Sequence, residues 1–299
     1  MAKVKVVCTS TGAIKFAPER YRELNIDTLQ IHMIFQGKEF LEGEMDPVWF
    51  YSELEKLEDP KNNLPRTALP SHAEIGEVFD RAIAEGYDEI LVFTISSALG
   101  GTYNAIKLFA EEYADKIKIH VIDTKSAAFC EGMHAIVAAQ LLNKGLSTEE
   151  VLRETAWGIE HQEFIGVDGK LDYLIYNGRL KGAKAFMGQM LKICPVLRFN
   201  KEGEIVAVES VRTPKKALMR TCELLCEIIG DRSPEDYILY HIYTGPSLLE
   251  TLKETEQKYG ISTNHEDVIM SPASGCHNGP WLAGYGLYRI RREDEALDL

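Results

Sequence analysis

The run Ile90-Leu91-Val92-Phe93 followed by Thr94-Ile95-Ser96-Ser97-Ala98-Leu99-Gly100-Gly101-Thr102-Tyr103-Asn104 constrains the fold most: an apolar strand stops abruptly in hydroxyl and glycine residues. A strand-to-helix junction of this kind gathers side-chain alcohols and unpaired helix-start amides at one point. In an open parallel sheet that point lies at the carboxyl end of a strand, where small anionic groups are held. Lys5-Val6-Val7-Cys8 running into Thr9-Ser10-Thr11-Gly12 repeats the pattern, so two such loops can face one cleft. Serine and glycine are also ordinary cap and turn residues, so the junctions alone do not specify a ligand.

Around these junctions strands and helices alternate. Ile31-His32-Met33-Ile34-Phe35 with Gln36-Gly37-Lys38 predicts a strand and turn, and Pro47 opens a helix carrying Trp49, Phe50, Leu54 and Leu57. Ser71 and Glu74 have capping-box spacing ahead of the stripe Ile75, Val78, Phe79, Ala82 and Ile83. Thr67 therefore sits in a loop bracketed by Pro65 and Pro70 just before a helix start, where a plain turn residue is the more ordinary reading. Ile106, Phe109, Ala110 and Tyr113 mark a helix, Ile117 to Ile122 a strand entering Asp123-Thr124-Lys125-Ser126, and Cys130 to Asn143 a further helix. Ser147 and Glu150 cap the next one. This alternation predicts an α/β fold with a mostly parallel sheet.

From Gly166 the pattern changes, with glycines at 166, 169, 178, 182 and 188 and the basic cluster Asn177 to Lys184. We place a boundary there, giving two α/β domains, 1–165 and 166–299, with the last strand or loop free to return to the interface. Cys194 to Phe199, the turn Asn200 to Gly203 and Ile205 to Val208 predict a hairpin. Thr213-Pro214 and Pro246 open helices on either side of a strand at Tyr237 to Tyr243. Ser271 to Pro280 is rich enough in turn formers to read as a loop, with His277 embedded among glycines that permit close backbone approach.

Composition removes several classes. With 299 residues and 45% apolar content the chain can bury a substantial core, and 33 Lys plus Arg against 46 Asp plus Glu leave a net charge of −13. That balance argues against nucleic-acid and anionic-membrane binding. No apolar run approaches the ~18 residues of a membrane span. Met1 to Val7 reads as a strand rather than a signal peptide, so a cytoplasmic location is expected. The cysteines, Cys8, Cys130, Cys194, Cys222, Cys226 and Cys276, never form a C-x-x-C pair, which disfavours a zinc cage or disulfide framework. Cys222 and Cys226 share a helical face and read as buried small hydrophobes.

Five segments stand in a recognisable order: Thr67 to Ser71, Ile95 to Asn104, Val121 to Thr124, Leu171 to Arg179, and His277-Asn278-Gly279-Pro280. Together they resemble the DegV family of bacterial fatty-acid-binding proteins, which includes the FakB subunits of fatty acid kinase. The resemblance implies a fatty acid held in an apolar tunnel at the domain junction. Its carboxyl group would be bound by Thr67 and Ser97, with Ser96 as second choice, and by His277 nearby. It further implies that Arg179 and Arg212 face a phosphate or a partner near the mouth. The ligand is then a long-chain fatty acid, the partner a separate FakA-like ATP-dependent kinase, and the product an acyl phosphate for phospholipid synthesis. No metal or other cofactor is expected. Departures from the family pattern are Thr-Ala-Leu-Pro for Thr-Ser-Gln-Pro, Gly100 for a serine, Asn177 for a glycine, and Trp281 after Gly279-Pro280. They leave fewer donors near the carboxyl group, while Trp281, Phe186 and Met190 are expected to shape the cavity.

The physics permits this. A lipid of ~16 carbons gains roughly 0.8 kcal/mol per buried methylene before ordering costs. Alcohols and an imidazole can solvate its buried head group in either protonation state. Neither a P-loop nor a protein-kinase motif set occurs, so the chain reads as a binding subunit rather than an enzyme. The competing reading is a hydrolase with Ser97 or Cys276 as nucleophile, His277 as base and Asp123 orienting it, although no G-x-S-x-G elbow is present.

Overall fold

The computed structural model describes residues 2–185, 193–262, 265–292 and 295. β1 (Val4–Thr9) and β2 (Ile26–Leu29) pair in parallel. β3 (His32–Phe35) and β4 (Lys38–Leu41) then form a hairpin, and β5 (Arg66–Ala68) adds to the other edge of β3 as a small antiparallel sheet. β6 (Glu89–Thr94) and β7 (Lys118–Asp123) complete the first sheet, in the order β2-β1-β6-β7 and parallel throughout. Parallel neighbours need crossovers, which the helices His72–Ala84 and Thr102–Ala110 supply. From their second residue onward β1 and β6 are buried at every position, which is why they read as unbroken apolar runs rather than as alternation.

The helix Phe129–Asn143 is buried nearly all round over its first two-thirds and packs on the loop after β1. The contact is backbone to backbone, since a Cβ on Gly132 would stand 2.1 Å from the Gly12 carbonyl oxygen. The predicted capping boxes form at Ser71/Glu74 and Ser147/Glu150, each satisfying helix-start amides.

The second sheet is built from β8 (Glu163–Asp168), β9 (Cys194–Phe199), β10 (Ile205–Val211), β11 (Tyr237–Tyr243), β12 (Glu266–Ile269) and β13 (Leu282–Arg289). Their order is β10-β9-β8-β13-β11-β12, antiparallel except for β11 with β12. Side chains alternate between two cores. Ile165, Val167, Val196, Ala283, Tyr285 and Leu287 face the helices Pro214–Ile229 and Pro246–Glu256, whereas Phe164, Leu197, Tyr240, Ile242 and Leu282 join the cluster shared with Phe129, Met133 and the first sheet. The last strand thus returns to the centre of the second sheet.

Four expectations need adjustment. Gly166 lies inside β8, so the chain passes from one sheet to the other at Gln162 rather than at 166. Thr67 is in a short strand opposite Met33, because the β3 edge offers its backbone a ladder. Ser271–Pro280 is not a loop: Pro272–Asn278 is a helix. Proline at the first helical position has no amide to waste, and Gly279 at φ 75° ends the helix in a conformation suited to glycine. Cys222 is buried, but Cys226 one turn later is exposed. Phe186 and Met190 lie outside the described residues. No helix among the described residues is long and apolar enough to cross a membrane.

Candidate functional site

A cavity of about 190 Å³ lies in the seam between the two sheets, where the junctions after β1 and β6, strand β5 and the helix Pro272–Asn278 converge. Ile31, Leu69, Ile95, Leu99 and Ile205 supply apolar wall, while Thr67, Arg179, His277, Thr11 and Ser274 supply polar atoms. A second cavity of about 20 Å³, walled by Phe164, Leu197, Phe199, Ile242, Met270 and Leu282, shares Ala127, Ile205 and Asn278 with the first. The pair therefore runs from a mixed, polar-lined end towards an almost wholly apolar one.

His277 is placed by the helix that carries it. Tyr51 Oη donates to the carbonyls of Met270 and Ser271, at 2.9 and 3.1 Å, fixing the turn before the helix. The Ala273 amide donates to Glu42 at 2.9 Å, and the same carboxyl accepts from Ser10 in the loop after β1. Thr9 and Thr11 in turn donate to the buried Glu131. Burial pushes both carboxyls above their usual range, although these hydrogen bonds oppose it. The loop after β1 is thereby tied to the His277 helix through Glu42 and to the helix Phe129–Asn143 through Glu131.

Thr67 Oγ1 and His277 Nε2 are 3.1 Å apart, joining the small sheet to that helix across the cavity. Burial pulls His277 down to about 4, helped by the nearby charge of Arg179, so the ring is neutral near neutral pH. Arg179 follows the short helix Asp172–Tyr176; its Nη1 donates to the Asn177 carbonyl at 2.7 Å, and Asn177 donates to the Cys276 carbonyl at 3.0 Å. Burial lowers the Arg179 guanidinium from its ordinary value, yet such a group stays cationic. Arg179 Nε and His277 Nδ1 are buried and have no hydrogen-bond partner among the described residues. Unpartnered polar nitrogens of this kind beside a mostly apolar cavity are the arrangement that an acidic head group would complete.

The other expected site residues lie elsewhere. The Ser97 amide donates to Asp123 Oδ1 at 3.1 Å and its hydroxyl to Asp123 Oδ2. Burial alone would raise Asp123, but the bonds from Ser97 and Lys125 outweigh it and hold the carboxyl below its usual range. Ser96 is fully buried, with its amide on the Ser126 carbonyl at 2.7 Å and its Oγ accepting from Ala98 at 3.2 Å. A Cβ on Gly203 would stand 2.2 Å from that Oγ, so the β9–β10 turn seals Ser96 from above. Neither serine lines the cavity, which this loop reaches through Ile95, Leu99, Gly100 and Gly101. Arg212 is exposed between β10 and the next helix, away from the cavity lining. Trp281 packs on Gly169, with Lys170 Nζ 3.7 Å above its ring, and lines neither cavity.

A hydrolytic triad is not assembled from these groups. The Ser97 hydroxyl goes directly to Asp123, and His277 bonds Thr67. Cys276 is fully buried, and burial raises its thiol well above the ordinary value. Sequence reasoning singled out the loop of Thr11 but did not anticipate Ser274 or Asn278 in the lining, nor the buried Glu42 and Glu131 behind it. The usable signal was Glu131, the one acidic residue in the helix Phe129–Asn143.

The family model described as "Uncharacterised protein, DegV family" matches residues 3–289. A DegV domain-containing protein of Clostridium perfringens is 30% identical over 291 residues, covering 96% of this chain and 99% of its own length. A Thermotoga maritima protein named "Fatty acid-binding protein" is 28% identical over 297 residues, covering 97% and 99%. Among solved structures, a fatty acid binding DegV family protein of Streptococcus agalactiae superposes with a TM-score of 0.86 at 27% identity, covering 97% of this chain and 100% of that one. On the extent of these matches and on the two-sheet architecture described above, the chain belongs to the DegV family.

Proposed function

We propose that this chain is a fatty-acid carrier whose cavity takes the acyl tail and whose Thr67, His277 and Arg179 receive the carboxyl end. The observation that carries this reading is the pair of unpartnered buried nitrogens, Arg179 Nε and His277 Nδ1, beside the Thr67 hydroxyl at the polar end of an apolar seam. Each methylene removed from water contributes about 0.8 kcal/mol, so tail burial supplies affinity and the three polar groups supply orientation. A neutral His277 can donate to a carboxylate or accept from a protonated acid, and the guanidinium favours the carboxylate. The Thermotoga maritima and Streptococcus agalactiae relatives, both described as fatty acid binding, support the ligand class.

In this reading the chain presents the carboxyl group to a separate ATP-dependent fatty acid kinase and performs no chemistry itself. Ser97 and Ser96 act by shaping the loop that carries Leu99 to Gly101. The exposed Arg212 docks the partner or steadies the new phosphate. The test is to purify the protein without added lipid, denature it, extract it with organic solvent and identify the released acids by mass spectrometry. Long-chain fatty acids near one per chain are expected. Their absence, together with failure of lipid-stripped protein to take up added fatty acid, would overturn the reading.

A further inference from the structure

The second sheet buries a cluster of metal-type donors whose residues line neither cavity. His241 on β11, Glu256 at the end of the helix Pro246–Glu256 and His265 just before β12 place their donor atoms within 4.8 Å of one another. His241 Nε2 is 3.0 Å from Glu256 Oε2 and 2.9 Å from His265 Nε2, and His265 Nε2 is 3.4 Å from the same Glu256 oxygen. The side chains of His241, Glu256 and His265 are only 2%, 1% and 4% exposed.

What surrounds the three fixes how they point. His241 Nδ1 is 2.7 Å from Asp267 Oδ1 on the adjacent strand β12, and Lys253 binds the other Asp267 oxygen. A carboxylate at Nδ1 keeps the ring proton there and turns the Nε2 lone pair towards the other two donors. Glu256 Oε2 also accepts from Tyr285 Oη at 2.8 Å, which orients the carboxylate. His241 Nε2 thus faces both a carboxylate oxygen and a second imidazole nitrogen, three lone-pair-bearing atoms around one point. One divalent ion accepts all three lone pairs. Tetrahedral ligands at zinc distances are about 3.3 Å apart, so the cluster needs to open by only a few tenths of an ångström.

We propose that His241, Glu256 and His265 form a binding site for a zinc-like divalent ion, with Asp267 as the positioning carboxylate behind His241. Two histidines and one carboxylate leave a fourth position for water. Of the three, His265 also borders a groove with Arg20, Pro234 and Glu266. Because its ligands come from β11, the end of one helix and the residue leading into β12, a bound ion cross-links the edge of the second sheet. The site is independent of the fatty-acid reading.

The test uses the full chain, stripped with chelator and titrated with Zn²⁺ alone by calorimetry, with thermal unfolding followed in parallel. One ion per chain and a rise in Tm are expected. His265→Gln should abolish both, and Asp267→Asn should weaken binding roughly 10- to 100-fold. Co²⁺ reads the site in the unaltered chain: the strong visible bands of four-coordinate nitrogen and oxygen ligation, with no thiolate absorption, are expected. No zinc uptake by the unaltered chain, uptake unchanged in His265→Gln, or only the weak bands of six-coordinate cobalt would overturn the proposal.

Discussion

Replacing Thr67 by valine removes one oxygen-borne hydrogen bond from the polar end of the cavity and little else. Valine keeps the β-branch that suits strand β5, and the backbone pairing opposite Met33 does not involve the side chain. The hydroxyl lost stands 3.1 Å from His277 Nε2 and lines the cavity. A hydrogen bond to a carboxylate contributes roughly 1.5–3 kcal/mol, and one to a neutral acid about 1 kcal/mol. At about 1.4 kcal/mol per decade, Kd for a fatty acid should rise somewhere between about 5-fold and 150-fold. Displacement of a fluorescent fatty acid from lipid-stripped protein measures this, with circular dichroism as the check that the fold is intact. The factor should be the same for acids of different chain length, since only the head group is touched. A change of less than about twofold, set against those magnitudes, would refute the placement of the carboxyl end.

Three other outcomes follow from particular contacts. His277 sits at about 4 in the folded protein against an ordinary 6.5, so the unfolded chain takes up its proton first as pH falls, and stability is present above pH 6.5 and lost between pH 6.5 and 4. Urea unfolding of His277→Gln beside the unaltered protein should show their stability difference shifting by about 3 kcal/mol across that window, and a constant difference would contradict it. Gly132→Ala would set a Cβ 2.1 Å from the Gly12 carbonyl oxygen, so a loss of ~1–3 kcal/mol or more is expected in denaturant unfolding, and an unchanged midpoint would contradict the close packing. Arg212→Ala should leave fatty-acid affinity unchanged but slow acyl phosphorylation by a partner kinase; unchanged turnover would remove that role.

Local signals carried much of the fold. Ile90 to Phe93, Ser71 with Glu74, and Ser147 with Glu150 each state their structure within a few residues, and the helices and strands they predict are present. What was not legible depends on partners far along the chain. Ser97 looks like a ligand-binding hydroxyl until Asp123, at the end of the neighbouring strand, takes it. Thr67 looks like a turn residue until the edge of β3 gives it a ladder. Ser271 to Pro280 reads as loop by composition, whereas Tyr51 and Glu42 hold its start as a helix and so aim His277. The unpartnered nitrogens of Arg179 and His277 have no counterpart in any pattern, because an unmade hydrogen bond is a property of the packed surroundings. The His241, Glu256 and His265 cluster escaped for the same reason: three elements bring together donors whose spacing matches no motif.

A crystal structure of the protein with its bound fatty acid decides which end of the seam holds the carboxyl group. Electron density for the tail is expected in the seam lined by Leu99, Ile205 and Leu197, with a carboxyl oxygen within about 3 Å of Thr67 Oγ1 and Arg179 Nε. A head group at the other end of the seam, or a lipid bound outside it, would rule out Thr67, His277 and Arg179 as the carboxyl site.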